Sequence, residues 1–371
     1  MKDISLYIHI PFCKSKCLYC DFLSYSGKEV YIDDYIKALI NEIVAFKTDK
    51  QVKSVFIGGG TPSVIDSRYI EVIMNTVFKN YSVADDAEIT IEANPGTVDF
   101  NGLKTYRLSG INRISFGLQA WQDRLLNVIG RIHSSADFVA GFEVARRAGF
   151  DNINCDLMFS LPYQSAEDFF ETVRNVTDMQ PEHISAYSLI VEEGTPLCNM
   201  YEKGALPEID EDEDRRMYWG AVEMLAERGY EQYEISNFAK DGRQCRHNLV
   251  YWRRGDYKGF GLGAASLIDE VRLKNTENLS EYIGGMCVTE REVLTVADRQ
   301  EEFMFLGLRC NSGISEEDFY RKFNAAVDDV YAEEIKKLVS DGLISRKNGR
   351  ICLTKRGFDL ANMVFVEFIQ Q

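Results

Sequence analysis

Short runs of β-branched and aromatic residues recur along the first half of the chain, each followed by a stretch with apolar residues at helical spacing. The runs are Leu6–Ile10, Ser54–Ile57, Glu88–Glu92, Arg113–Phe116, Asn152–Met158 and His183–Leu189. The amphipathic stretches between them are Tyr31–Phe46, Ser67–Phe78, Asn101–Leu108, Ala136–Ala148 and Ala166–Met179. Strands that alternate with helices in this way predict an α/β fold with a parallel sheet and right-handed crossovers. Such a sheet stays open or curls into a barrel, and in either form its ligands gather at the carboxyl ends of the strands.

An acidic run, Glu208–Asp214, opens a further helix through Glu227, where carboxylates suit the positive end of the helix dipole. After Gly229 the texture changes to short strands and glycines, as in Tyr257–Gly263, and from about Thr289 it turns helical again. The end reads as helices over Asp318–Phe323 and Asp328–Ser340, a hairpin of Leu343–Lys347 and Arg350–Thr354, and a last helix from Lys355. Helices followed by a two-stranded wing predict a small α+β, winged-helix-like module.

Composition narrows the functional classes. The chain has 371 residues, 45% of them hydrophobic, enough for one large domain and a smaller one. Its net charge of −16 argues against a nucleic-acid partner, which calls for a basic surface. No run approaches the roughly 18 apolar residues of a membrane span. The stretch from Met1 to Phe12 lacks the pattern of a cleavable signal, so a cytoplasmic protein is expected. Nine cysteines, an odd number, argue against a disulfide framework.

Three of those cysteines stand in one short loop after the first strand: Cys13-Lys-Ser-Lys-Cys17-Leu-Tyr-Cys20. Three thiolates in one loop can face a single centre. Cubane iron–sulfur clusters normally take four cysteines, so three leave one iron open. An open iron can chelate the amino and carboxylate groups of S-adenosylmethionine, and an electron from the cluster then splits the sulfonium to give a deoxyadenosyl radical. The competing reading is structural zinc with His9 as the fourth ligand. The spacing of three and then two intervening residues is unusual for a zinc ribbon, and His9 alternates within an apolar strand. Of the scattered cysteines, Cys245 stays open as a ligand, and the others read as small buried hydrophobes.

Further motifs sit at the ends of the predicted strands. Gly58-Gly59-Gly60-Thr61-Pro62 follows the second strand, and a glycine loop there can offer backbone N–H groups to the end of an amino acid. Ile91-Glu92-Ala93-Asn94-Pro95 follows the third and Ser115-Phe116-Gly117-Leu118-Gln119 the fourth, with Gly130-Arg131-Ile132-His133 beyond it. Asn154-Cys155-Asp156-Leu157-Met158 lies on the fifth. Glu92 and Gln119 should project over the mouth of the sheet, with Arg131 and Asp156 in a next layer. An enclosed carboxylate at Glu92 needs a cationic or hydrogen-bonding partner, which a bound ligand or a structural ion pair would supply.

This set of motifs, from Tyr7 to the last helix, resembles the radical SAM superfamily, and within it the oxygen-independent coproporphyrinogen III oxidase-like group and its haem-chaperone branch. The resemblance implies a parallel (βα)6 partial TIM-type barrel with a smaller C-terminal α+β domain. It divides the chain into a core at 1–230, a connecting segment at 231–290 and a C-terminal winged-helix-like domain at 291–371. It implies a [4Fe–4S] cluster on Cys13, Cys17 and Cys20. S-adenosylmethionine would lie against Tyr7, Tyr19, Gly59, Gly60, Thr61 and Glu92. Gln119, Arg131, Asp156 and Ile190 would surround a second molecule or the substrate pocket.

Oxidase and chaperone differ at three points. The oxidase carries a further cysteine two residues after the third ligand, where this chain has Phe22. The oxidase also has a long segment before its cysteine loop, where this chain has twelve residues. Arg246-His247-Asn248-Leu249-Val250-Tyr251-Trp252 carries the HNxxYW signature of the chaperone branch, which implies haem binding at His247. Chemically, a neutral imidazole can ligate haem iron, and Tyr251 and Trp252 offer flat apolar surface, though a core histidine among packing aromatics is equally good chemistry. The resemblance therefore favours a haem-binding and transfer protein without coproporphyrinogen III oxidase activity, its cargo haem. Its partners would be acceptor haemoproteins, membrane-associated ones included, and a reductant such as flavodoxin or ferredoxin.

Overall fold

Parallel strands buried on both faces form the centre of the molecule, which we describe from a computed structural model covering residues 2–208 and 210–369. Ile209, within the predicted acidic run, lies outside the described residues. The strands are β1 (Asp3–Ile10), β2 (Gln51–Gly59), β3 (Val83–Ala93), β4 (Arg113–Gln119), β5 (Ile153–Phe159) and β6 (His183–Ser188), side by side in sequence order. Between them run α1 (Ile32–Ala45), α2 (Ser67–Asn80), α3 (Phe100–Leu108), α4 (Asp123–Val128), α5 (Ser135–Arg147) and α6 (Ala166–Asp178). The six predicted strands are all present. The short helix α4 went unpredicted, because six residues are too few to show a helical period.

The alternation within β1 explains the layering. Ile4, Leu6, Ile8 and Ile10 turn outward and are buried with Tyr35, Leu39 and Ile43 of α1 in the main core. Ser5, Tyr7 and His9 turn to the inner face, where Ser54 of β2 donates a hydrogen bond to Ser5 at 2.7 Å. The sheet is thus a curved wall with an apolar outer layer under the helices and a polar inner face. Helix starts are fixed locally: Ser134 and Ser165 close capping boxes with Asp137 and Asp168 at the heads of α5 and α6.

Helices α7 (Pro196–Glu202) and α8 (Glu211–Glu227) follow β6, and four acids fill the first turn of α8 as expected. The segment after Gly229 lengthens the same sheet at both ends. β7 (Glu231–Glu234) and β8 (Asn237–Ala239) form a hairpin whose β8 pairs antiparallel to β6. After α9 (Arg246–Trp252), β9 (Tyr257–Phe260) pairs parallel to β1 at the opposite end. β10 (Ala265–Ile268), β11 (Val271–Asn275), α10 (Leu279–Ile283) and β12 (Val288–Val293) follow, the strands adding antiparallel. The helical texture expected from Thr289 begins only at α11 (Val296–Gly307), because Val288–Val293 is an exposed edge strand whose side chains show no burial pattern.

The C-terminal module has its own core around Leu308, Phe319, Tyr331, Leu338 and Ile351. It contains β13 (Ile314–Ser315), α12 (Glu316–Phe323), α13 (Asp328–Ser340), β14 (Ile344–Lys347), β15 (Arg350–Leu353), α14 (Lys355–Asp359) and α15 (Ala361–Val366). Its three-stranded sheet, in the order β13-β15-β14, is the predicted wing with one extra strand. No helix among the described residues is long and apolar enough to cross a membrane.

Candidate functional site

The carboxyl ends of the six parallel strands surround a cleft of about 500 Å³. Cys13, Cys17, Tyr19 and Cys20 border it from the loop after β1, Gly59, Gly60 and Thr61 from β2 and its following turn, and Glu92 from β3. Gln119, Arg131, Asp156 and Ile190 complete its far side. Of the predicted cofactor residues only Tyr7 lies elsewhere, one layer deeper in the sheet, where with Glu92 and Asp156 it lines a chamber of about 210 Å³.

All nine cysteines are free. Among the described residues no three His, Cys, Asp or Glu side chains converge closely enough for a single metal ion. The thiols of Cys13, Cys17 and Cys20 instead open onto one cleft, with Cys13 and Cys17 both near enough to push the Cys20 thiol pKa upward after burial has done most of it. A multi-iron cluster takes one thiolate per iron, so its ligands need to face one cavity rather than one point. His9, the fourth ligand of the zinc alternative, is committed elsewhere. Its Nε2–H donates to the Leu23 carbonyl at 2.8 Å and its Nδ1 accepts from the Tyr7 hydroxyl at 3.0 Å.

The glycine loop is packed as closely as its composition allows. Gly59 has φ +115°, and a Cβ there would meet the His9 ring at 2.5 Å. At Gly60 a Cβ would stand 2.8 Å from the Phe12 carbonyl oxygen and 3.0 Å from the Cys13 sulfur. Backbone N–H groups of this loop hold its neighbours: Gly59 donates to Glu92 Oε2 at 3.2 Å, and Thr61 to the Phe12 carbonyl at 2.8 Å.

Glu92 is open to the cleft on one side and enclosed on the rest. Burial, with Asp156 adding to it, raises its pKa to about 8. Asp156 is held on both oxygens, by Ser115 at 3.0 Å and Asn154 at 2.7 Å. Gln119 ends β4 in the left-handed region at φ 72°, and its Oε1 accepts from Tyr187 at 3.1 Å. A non-glycine residue held in that conformation at a strand end is a mark of a constrained site. Ile190 is exposed on the rim.

A hydrogen-bonded chain ties the second layer to the cysteine loop. Arg131 donates to Asn94 Oδ1 at 2.8 Å and to the Tyr19 hydroxyl at 2.9 Å. Asn94 donates to Thr61 Oγ1 at 2.9 Å, whose hydroxyl points to Cys13 Sγ at 3.5 Å. Asn94, Ser115, Asn154 and Tyr187 were not singled out from the sequence. Asn94 was within reach, because it lies two residues beyond Glu92 and strand alternation puts both on one face.

His247 lies on α9, beneath the cleft. It is 1% exposed, stacked on Phe56 of β2 with ring centroids 5.1 Å apart, and borders the 210 Å³ chamber. Both ring nitrogens are engaged, Nδ1 with Ser54 at 2.9 Å and Nε2 with the Tyr251 hydroxyl at 2.9 Å. Burial and the nearby Arg113 lower its pKa to about 3, so the ring is neutral. Cys245, the alternative ligand, is also buried, and its thiol faces Glu88 Oε1 at 3.6 Å. Trp252, at the other end of the same helix, turns away from the chamber and takes the Arg309 guanidinium over its ring at 4.3 Å.

A parallel sheet whose first loop presents three thiols to a cofactor-sized cleft at the strand ends defines the architecture of the radical SAM proteins. Comparison with known proteins agrees. Residues 7–176 match the model of the radical SAM superfamily, and residues 294–360 that of the HemN C-terminal domain. The chain is 36% identical to the heme chaperone HemW of Lactococcus lactis, over 99% of this chain and 98% of that one. It is 37% identical to HemW of Bacillus subtilis, over 98% and 99%, and 33% identical to HemW of Escherichia coli, over 100% and 99%. Among solved structures, Escherichia coli coproporphyrinogen III oxidase (HemN), a radical SAM enzyme, superposes with a TM-score of 0.86 at 25% identity. That match covers 99% of this chain and 90% of the oxidase. The chain belongs to the HemW family of the radical SAM superfamily. Membership of that superfamily implies a [4Fe–4S] cluster and S-adenosylmethionine.

Proposed function

We propose that this protein binds haem and passes it to acceptor haemoproteins, and that it carries a [4Fe–4S] cluster and S-adenosylmethionine at the strand-end cleft. The observation that carries the reading is its similarity, over nearly the whole of both chains, to proteins named heme chaperones, 36% and 37% for two of them against 25% for the oxidase. Phe22, 64% exposed beside the cysteine loop, stands where the oxidase has a cysteine and supports the same choice.

Cys13, Cys17 and Cys20 would each hold one iron, leaving the fourth without a protein ligand. When bound, the cluster supplies an electron to the sulfonium of the cofactor. The residues around it position that cofactor. The Gly59–Thr61 turn, whose N–H groups are already spent on Glu92, Ile10 and Phe12, would border its amino-acid end, Glu92 would take its cationic groups, and Tyr19 would lie along its flank. The Arg131–Asn94–Thr61 chain would hold the loop and the thiols at fixed separation. Gln119, Asp156 and Ile190 would form the far wall for a second molecule. Tyr7 would act from below, through its bond to His9. The reductant would be a small electron-transfer protein of the flavodoxin or ferredoxin type, and the acceptors include membrane-associated haemoproteins. The division into a core at 1–230, a connector at 231–290 and a C-terminal domain at 291–371 belongs to the same proposal.

Haem ligation by His247 would require the ring to be freed first, because its one acceptor nitrogen serves Tyr251 and the adjoining chamber is smaller than the roughly 300–1,000 Å³ of typical ligand pockets. The test of the proposed function is anaerobic reconstitution of the full chain, followed by parallel assays of haem uptake and coproporphyrinogen III turnover. Haem uptake without turnover is expected, and turnover without retained haem would establish the oxidase instead.

A further inference from the structure

Trp252 opens onto a second cleft, separate from the strand-end site. It lies where the end of α9 meets α11 and the wing of the C-terminal module, and its volume is about 480 Å³, within the range of small-molecule pockets. Trp252, Phe303 and Ile314 give it apolar walls. The indole Nε1 of Trp252 is buried and has no hydrogen-bond partner among the described residues.

The charge around this cleft runs against the rest of the protein. In a chain of net charge −16, its charged lining residues are Arg253, Arg321, Lys322 and Arg350, opposed only by Asp318. Arg321 is spent on Glu317 at 2.8 Å and Asp318 at 3.1 Å, and Arg350 on the Ser312 and Gly313 carbonyls at 2.6 and 3.1 Å. Arg253 and Lys322 make no ion pair among the described residues. Partial burial, reinforced by Arg254 and only partly offset by Glu270 and Asp256, pulls the Lys322 ammonium below its ordinary pKa, a penalty that a bound carboxylate would relieve. On the floor, Cys310 is 6% exposed and packs with Tyr233, Ala239 and Leu249, and burial, with Glu234 adding to it, raises its thiol to about 11, a proton that binding to iron would displace.

Apolar walls, two uncommitted cations and a thiol describe the complement of a flat apolar macrocycle that carries two carboxylates and an iron. We propose that haem docks in this cleft, between α9 and the C-terminal module, with its propionates on Arg253 and Lys322, its ring against Trp252 and Phe303, and Cys310 as iron ligand. The proposal rests on the haem-binding reading above and assigns its site. The HNxxYW helix then has two faces: His247 and Tyr251 close the chamber under the cofactor cleft, and Trp252 presents a wall to the cargo. Ligation of ferric haem exchanges a water or hydroxide for the Cys310 sulfur. The thiol proton goes to solvent or to the departing hydroxide, and no electron is transferred.

The test is haemin titration of the reconstituted full-length protein, read by its Soret difference spectrum and by the spin resonance of the ferric haem. Wild type should show a thiolate-ligated signature. Cys310→Ser should abolish that signature and shift the Soret band. The surface double variant Arg253→Glu/Lys322→Glu should bind haem at least tenfold more weakly while keeping its iron content and its S-adenosylmethionine affinity. The cleft is overturned if both variants bind haem as wild type does while His247→Gln loses the band, a result that leaves the haem-binding function standing. Absence of any haem binding by wild type would remove function and site together.

Discussion

At Glu92 the cost of keeping a carboxyl under a cofactor site has a measurable sign. In the unfolded chain it titrates near its ordinary 4.5, whereas burial and Asp156 lift it to about 8 in the fold. The folded state therefore holds the extra proton between those values. Its stability contribution is full below about 4.5 and falls away as pH rises through about 8. Urea midpoints of the cofactor-free protein should drop between pH ~5 and ~8, and Glu92→Gln should flatten much of that slope. An unchanged slope would mean that Glu92 is not the group enclosed. Glu92→Ala should also lower S-adenosylmethionine affinity, by roughly tenfold for one lost charge-assisted bond, with iron content intact. Loss of iron together with normal cofactor affinity in the remaining holo fraction would assign Glu92 a structural part. This residue was legible in the sequence because it ends a strand at the mouth of a parallel sheet. Cys310 was not, since a lone cysteine reads as a small hydrophobe until the fold sets Trp252, Arg253 and Lys322 around it.

The cysteine loop and the glycine loop act as one element, joined through Thr61 and through the close approach of Gly60 to Cys13. Replacing Cys13, Cys17 or Cys20 by Ala should each abolish the cluster, seen as loss of the about four irons per chain. Cys155→Ala and Cys245→Ala should retain them, and an equal loss in either would defeat the three-ligand model. Gly59→Ala should cost the loop about 1 kcal/mol or more for its positive φ alone, beyond the clash with His9. Thermal unfolding should report that loss, along with weakened cofactor binding. At this scale the six β–α units were legible, since buried parallel strands and amphipathic helices write distinct periods. The strands after Gly229 were visible only as texture. Their place is set by pairing with β6 and β1, which lie far away in the chain, and no local period encodes a distant partner. β12 was missed outright, because all six of its side chains are exposed.

Across the whole molecule, one polar wall serves two compartments. Its strand ends form the cofactor cleft, and the deeper chamber behind Tyr7, Glu92 and Asp156 is closed by His247 of α9. The same helix ends at the cleft shared with the C-terminal module, so a single seven-residue element separates the cofactor site from the proposed cargo site. On the proposed cargo site, the HemN-like C-terminal module would help hold haem, and the likeness of the fold to the oxidase does not by itself carry the oxidase's chemistry.

The most direct measurement of the central claim is haem handover. The reconstituted, haem-loaded protein is mixed anaerobically with an excess of an apo-haemoprotein, and the Soret bands of the two are followed as they separate. The account predicts that haem leaves this protein and appears in the acceptor, with no porphyrinogen consumed in a parallel assay containing reductant and S-adenosylmethionine. Haem that never binds, or conversion of coproporphyrinogen III under the same conditions, would contradict it.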